Sequence, residues 1–147
     1  MKWPKIILWC LVAVLCLFFT APVMAAGSVT QSWTSPTLTF SWVGDVSGGG
    51  VPAEISELEF NAYVCLVVTN PGTTAPTDNY DITLTDEDGI DIMGGQLANR
   101  DTADSESAVP KIGTVYGCRP IDGTITLNIT NNSVNSATGT VKVWILR

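Results

Sequence analysis

The side chains able to carry chemistry in this sequence are carboxylates, a few cysteines and a set of tryptophans; histidine is absent. Without imidazole the chain lacks the side chain that most often serves as general base at neutral pH and as transition-metal ligand. Glu57 and Glu59 alternate along one expected strand face, where extended geometry would put them about 7 Å apart, a separation compatible with a glycosidase pair. Nothing in the flanking sequence builds the desolvating pocket such a pair needs. The two glutamates therefore read as a solvated face that resists aggregation, and the chain is expected not to be an enzyme. The run Asp86, Glu87, Asp88, Gly89, Ile90, Asp91 offers hard oxygen ligands of the kind calcium takes, but it lacks the glycine position and distant bidentate glutamate of an EF-hand loop. Its stronger reading is a hairpin: Ile82 and Leu84 lead in, Asp88-Gly89 supplies the positive-φ turn, and Ile90 and Ile92 lead out. No metal or other cofactor is expected. Trp33, Trp42 and Trp144 could stack sugars, the basis of an alternative reading as an exported carbohydrate-binding or adhesive module, although tryptophans in a β-rich chain more often fill the core.

The cysteines divide into two pairs by context. Cys10 and Cys16 lie in the uncharged apolar stretch from Ile6 to Phe19, which follows the cations Lys2 and Lys5 and precedes Pro22 and several small residues. This is the order of a secretory signal peptide. As a helix the stretch covers roughly 21 Å, short of the roughly 30 Å hydrocarbon core, so removal is favoured over a permanent span. Val23 and Ala25 place small side chains for a cut after Ala25. The expected organisation is thus a signal peptide over residues 1–25 and a single domain over 26–147, exported to the periplasm or outside the cell. Cys65 and Cys118 remain after the cut, and two thiols in an oxidising compartment form a candidate disulfide. In the chain-entropy model, closing that loop is worth about 4 kcal/mol.

Cleavage also removes two of the seven Lys and Arg and none of the fourteen Asp and Glu, so the exported part is more acidic than the formal charge of −7 for the whole chain. A polyanion releases no counterions on meeting nucleic acid or an anionic bilayer, which argues against nucleic acid as a partner and against a membrane once the leader is gone.

The elements that must position these residues are strands. No window shows sustained 3.6-residue apolar spacing, whereas period-two alternation recurs. Leu38, Phe40 and Trp42 share one face; so do Leu58, Phe60, Ala62, Val64, Leu66 and Val68 within a longer run at 57–69. Further strands are expected at 80–85, 90–93, 123–129 and 140–146, with a weaker one at 29–33. Segments 44–52, 70–79 and 94–110 are rich in the Gly, Pro, Asn and Asp that interrupt backbone ladders. About seven short strands with such punctuation predict an all-β fold, an antiparallel β-sandwich, with a small β-barrel as the alternative. The long 94–110 loop, with Asn99, Arg100 and Asp101, is a candidate contact loop, because long ordered loops tend to have a docking role.

Residues 69–102, TNPGTTAPTDNYDITLTDEDGIDIMGGQLANRDT, resemble a segment of small β-rich proteins encoded among tailed-phage and prophage structural genes. In these a Pro/Thr loop leads into YD(I/V)TLTD, an acidic DG turn, a short apolar strand ending in glycine and an ANR(D/S) loop. Residues 120–147 are similar to their closing hairpin, with P(V/I)(D/N)G, a Thr/Leu strand, an Asn-rich turn and a final apolar strand with a basic end. The resemblance carries no catalytic motif. It implies a non-enzymatic structural or surface role, virion-associated and docked on a protein assembly such as a phage particle or on further copies of itself.

Overall fold

The computed structural model describes residues 25–147, so the expected leader lies, apart from Ala25, outside the described residues. No helix forms among them. The strands in chain order are β1 (Ser28–Thr34), β2 (Thr37–Val43), β3 (Glu54–Ile55), β4 (Phe60–Pro71), β5 (Asp81–Thr85), β6 (Glu106–Ala108), β7 (Lys111–Ile112), β8 (Val115–Tyr116), β9 (Arg119–Gly123), β10 (Thr126–Thr130) and β11 (Thr138–Leu146). Seven of them, β1, β2, β4, β5, β9, β10 and β11, are five residues or longer.

All ladders are antiparallel. One sheet runs β1-β2-β11-β4, and the far edge of β4 is shared by β9 over its first half and β6 over its second. A second sheet runs β3-β10-β5, and β7 and β8 form a separate hairpin. Period-two alternation aims Leu38, Phe40 and Trp42 from β2, Phe60, Ala62 and Val64 from β4, and Val141, Val143 and Ile145 from β11 into one core. From the smaller sheet that core takes Ile82, Leu84, Leu127 and Ile129. Trp42 and Tyr80 span it, with ring centroids 5.9 Å apart. On one side the two sheets are tied by a side chain, not a ladder: the Gln31 amide on β1 donates to the Glu54 carboxylate and the Ile55 carbonyl and accepts from the Glu57 N–H. The architecture is therefore the expected sandwich.

Three strand expectations change. The 57–69 run begins only at Phe60; Leu58 is 38 % exposed in the bend that precedes it, not inward. Within β4 the inward parity switches at Cys65. Trp144 of β11 pairs with Leu66 and Ile145 with Val64, leaving Cys65 as the extra residue of a bulge. Val67 and Thr69 consequently face the core, while Leu66 and Val68 face outward. The strand expected at 90–93 reduces to a bridge between Thr85 and Asp91 followed by turns. The run at 123–129 breaks after Gly123, whose φ of 83° lies in the left-handed region, and its parts join different sheets as β9 and β10. The expected 94–110 loop contains β6, which continues the edge of β4.

Candidate interaction surface

Between the two strands that share the far edge of β4 the chain forms a hairpin that joins neither larger sheet. The chain leaves β6 at Ala108, makes the β7–β8 hairpin and returns along the same edge as β9. The hairpin loop is Gly113-Thr114, with Gly113 at φ 62°, the glycine-first arrangement whose twist suits a two-residue connection. Its base is fastened by the Gly117 N–H donating to the Pro110 carbonyl, by the Lys111 N–H donating to the Met93 carbonyl, and by Cys118 meeting Cys65 at disulfide distance with Cα atoms 4.1 Å apart. The hairpin carries Ile112, Tyr116 and Val115, the last 68 % exposed. The Lys111 ammonium sits 5.6 Å from the Tyr116 ring centroid, within cation–π range.

Beside the hairpin, the outer face of the larger sheet divides in two. Over β1 and β2 it is a field of hydroxyls: Ser28, Thr30, Ser32 and Thr34 lie opposite Val43, Ser41, Thr39 and Thr37. A shallow depression of about 430 Å³ there is lined by Thr30, Ser41, Asn70, Thr138 and Thr140 among others. Over β11, β4 and β9 the face turns apolar, with Trp144 opposite Leu66, Leu146 opposite Tyr63, and Tyr63 opposite Pro120. Tyr63 is 51 % exposed.

The candidate contact loop is held from within. The Arg100 N–H donates to the Tyr80 carbonyl, and its carbonyl accepts from the Asn79 N–H. Its guanidinium, 12 % exposed, lies 3.5 Å from the Glu106 carboxylate and donates to the Ala98 carbonyl. Asn99 takes a φ of 53° with its N–H on the Asp81 carboxylate. The Asp101 carboxylate accepts from the Ala103 and Asp104 N–H groups, and these bonds hold it below the ordinary carboxylate range. Of the three residues only Asn99 is exposed; Arg100 closes the loop onto Tyr80 and Glu106, and the Asp101 N–H donates to the Glu106 carboxylate. Burial pushes the Tyr80 phenol beneath them up to about 12.

The remaining chemistry-bearing residues are dispersed. With residues 57–59 outside any strand, Glu57 and Glu59 share no face: Glu57 borders a depression with Gln31 and Trp33, and Glu59 one with Glu87 and Asp122. The acidic turn has the expected shape, Gly89 at φ 77° and Ile92 in the core, and three of its four carboxylates bind main chain. Asp86 accepts from the Ile90 N–H, Glu87 from the Thr124 N–H, and Asp91 from the Met93 and Gly95 N–H groups. Among the described residues no three His, Cys, Asp or Glu side chains converge as metal ligands would. The three described tryptophans form no common platform: Trp42 is 1 % exposed in the core, Trp33 packs on Phe60 with centroids 5.7 Å apart, and Trp144 lies on the opposite, outer face.

The hairpin went unmarked in the sequence, although the string Lys111-Ile-Gly-Thr-Val-Tyr116 is a Gly-X loop between β-branched residues and so a hairpin signal. Comparison with protein-family models, curated proteins and solved structures finds no match to this chain.

Proposed function

We propose that this chain is a non-enzymatic β-sandwich module that docks on a protein assembly, with a tailed-phage particle as the assembly that the resemblance of residues 69–102 and 120–147 favours. The observation that carries the reading is the β7–β8 hairpin. A soluble domain keeps Ile112, Val115 and Tyr116 in water at a cost of order 1 kcal/mol each unless a partner covers them. Fastening the hairpin at its base reduces the ordering entropy lost on contact. The deciding experiment is density-gradient co-sedimentation of the purified chain with purified particles. Co-sedimentation that is lost with Val115→Asp, at unchanged melting temperature, supports the reading; a chain that stays at the top of the gradient overturns it.

The hydroxyl-lined depression between β1 and β4 favours a second reading, an exported glycan-binding module, because polar rims over a flat sheet suit sugar hydroxyls. A glycan titration that shifts the fluorescence of the half-buried Trp144 on that same face would move the assignment there.

A further inference from the structure

The apolar half of the outer sheet face has a charge at each end, and the two charges are opposite. Along β11 and β4 the order is Lys142 beside Val68, then Trp144 beside Leu66, then Leu146 beside Tyr63, and finally Asn61 beside Asp122 of β9. Lys142 and Asp122 are both exposed, and among the described residues neither forms an ion pair; the ion pair there joins Arg100 and Glu106. Strand rise and spacing put the two charges about 20 Å apart along the strands and about 10 Å across them. The midpoint falls between Leu66 and Tyr63.

A face with this pattern is complementary to itself. Two copies meeting face to face about a two-fold axis that lies in the contact plane, passes between Leu66 and Tyr63, and bisects the line from Lys142 to Asp122 exchange the two ends of the strip. Lys142 of each copy then lies over Asp122 of the other. Trp144 covers Tyr63 of the second copy, and the two Leu146 side chains meet near the axis. The centre is aromatic and the charges fall at the rim, the distribution in which the centre supplies affinity and the rim supplies register. The hydroxyl field over β1 and β2 lies outside the contact.

We infer that the occupant of this face is a second copy of the chain, paired through Trp144, Tyr63 and Leu66 and keyed by reciprocal Lys142–Asp122 contacts. The inference rests on the docking reading above and supplies its self-association geometry.

The test is sedimentation equilibrium of the purified chain over a concentration series, for the wild type, Lys142→Glu, Asp122→Lys and the double variant. All the changes lie on exposed positions, and melting temperatures verify folding. The expected wild-type mass rises towards that of two copies. Each single swap weakens the dimer by about tenfold or more, and the double swap restores it to within about threefold of wild type, because the reversed charges still face each other. Tyr63→Asp weakens it irrespective of the swap. A mass that never exceeds one copy, or a double variant as weak as its parents, overturns the pairing. A monomer that still co-sediments with particles would overturn the pairing and leave the docking module standing; a dimer that ignores particles would do the reverse.

Discussion

Cys118 lies directly across from Cys65 because it stands one residue before Arg119, which pairs with Val64, and Cys65 stands one residue beyond Val64 on the antiparallel neighbour. The bridge position is thus the next step of the β4–β9 ladder, at the point where β9 ends and the hairpin begins. The free thiol count should accordingly be zero for this pair. Alkylation of the folded, unreduced chain is expected to leave both unlabelled, and the Cys65→Ser, Cys118→Ser double variant to lose about 2–4 kcal/mol in urea unfolding, given the sequence separation of 53. Two labelled thiols would remove the bond.

Gly139 is a packing glycine. It pairs with Trp42, and a Cβ placed on it would stand 2.7 Å from indole carbons of a side chain with no room to retreat. Gly139→Ala is expected to cost about 1–3 kcal/mol as the core overpacks. A melting temperature equal to wild type would show that the indole can move.

The Arg100 guanidinium donates to the Ala98 carbonyl and pairs with Glu106, so it holds the shape of the loop that sequence nominates for contact. Arg100→Ala leaves the part-buried Glu106 carboxylate without its cation and is expected to destabilise by about 1–3 kcal/mol. Asn99→Gly, on the exposed neighbour, keeps the left-handed backbone and should leave the melting temperature near wild type while weakening particle binding where the loop touches the partner. Thermal melts and co-sedimentation of the two variants separate scaffold from contact.

Stability should fall in acid, with the sign set by two carboxylates. The Ser47 N–H bond, with further bonds from Gly48, the Ser47 hydroxyl and Gly49, holds Asp45 below its ordinary 3.8; the Ala103 and Asp104 bonds do the same for Asp101. A carboxyl whose folded pKa is depressed contributes fully above its unfolded value and loses that contribution as pH falls through the folded one. The melting temperature is therefore expected to hold down to about pH 4 and to decline below it. Asp45→Asn and Asp101→Asn, which keep an acceptor oxygen without a titration, should flatten the decline. Identical acid limbs in wild type and variants would reject this origin.

Much of the architecture was legible because side-chain alternation is a local consequence of strand geometry. Leu38-Phe40-Trp42, Ile82-Leu84, Leu127-Ile129 and Val141-Val143-Ile145 all face inward as their spacing requires. The acidic hairpin turn was equally legible, since Asp-Gly chemistry acts over four residues. Sequence alone thus determined an all-β chain, its principal strands and the cysteine pair worth testing. Tertiary structure decided the rest. The bulge at Cys65 reverses which side chains of β4 face outward, and a bulge depends on what β11 and β9 present across the ladder. The break at Gly123 sends two halves of one apparent strand to different sheets, because each half finds its own partner. The outward strip of Tyr63, Leu66, Trp144 and Leu146 draws on β4 and β11, distant in the chain. Such a surface exists only once non-local pairing has set the register, and local patterns carry no information about which strand lies next to which.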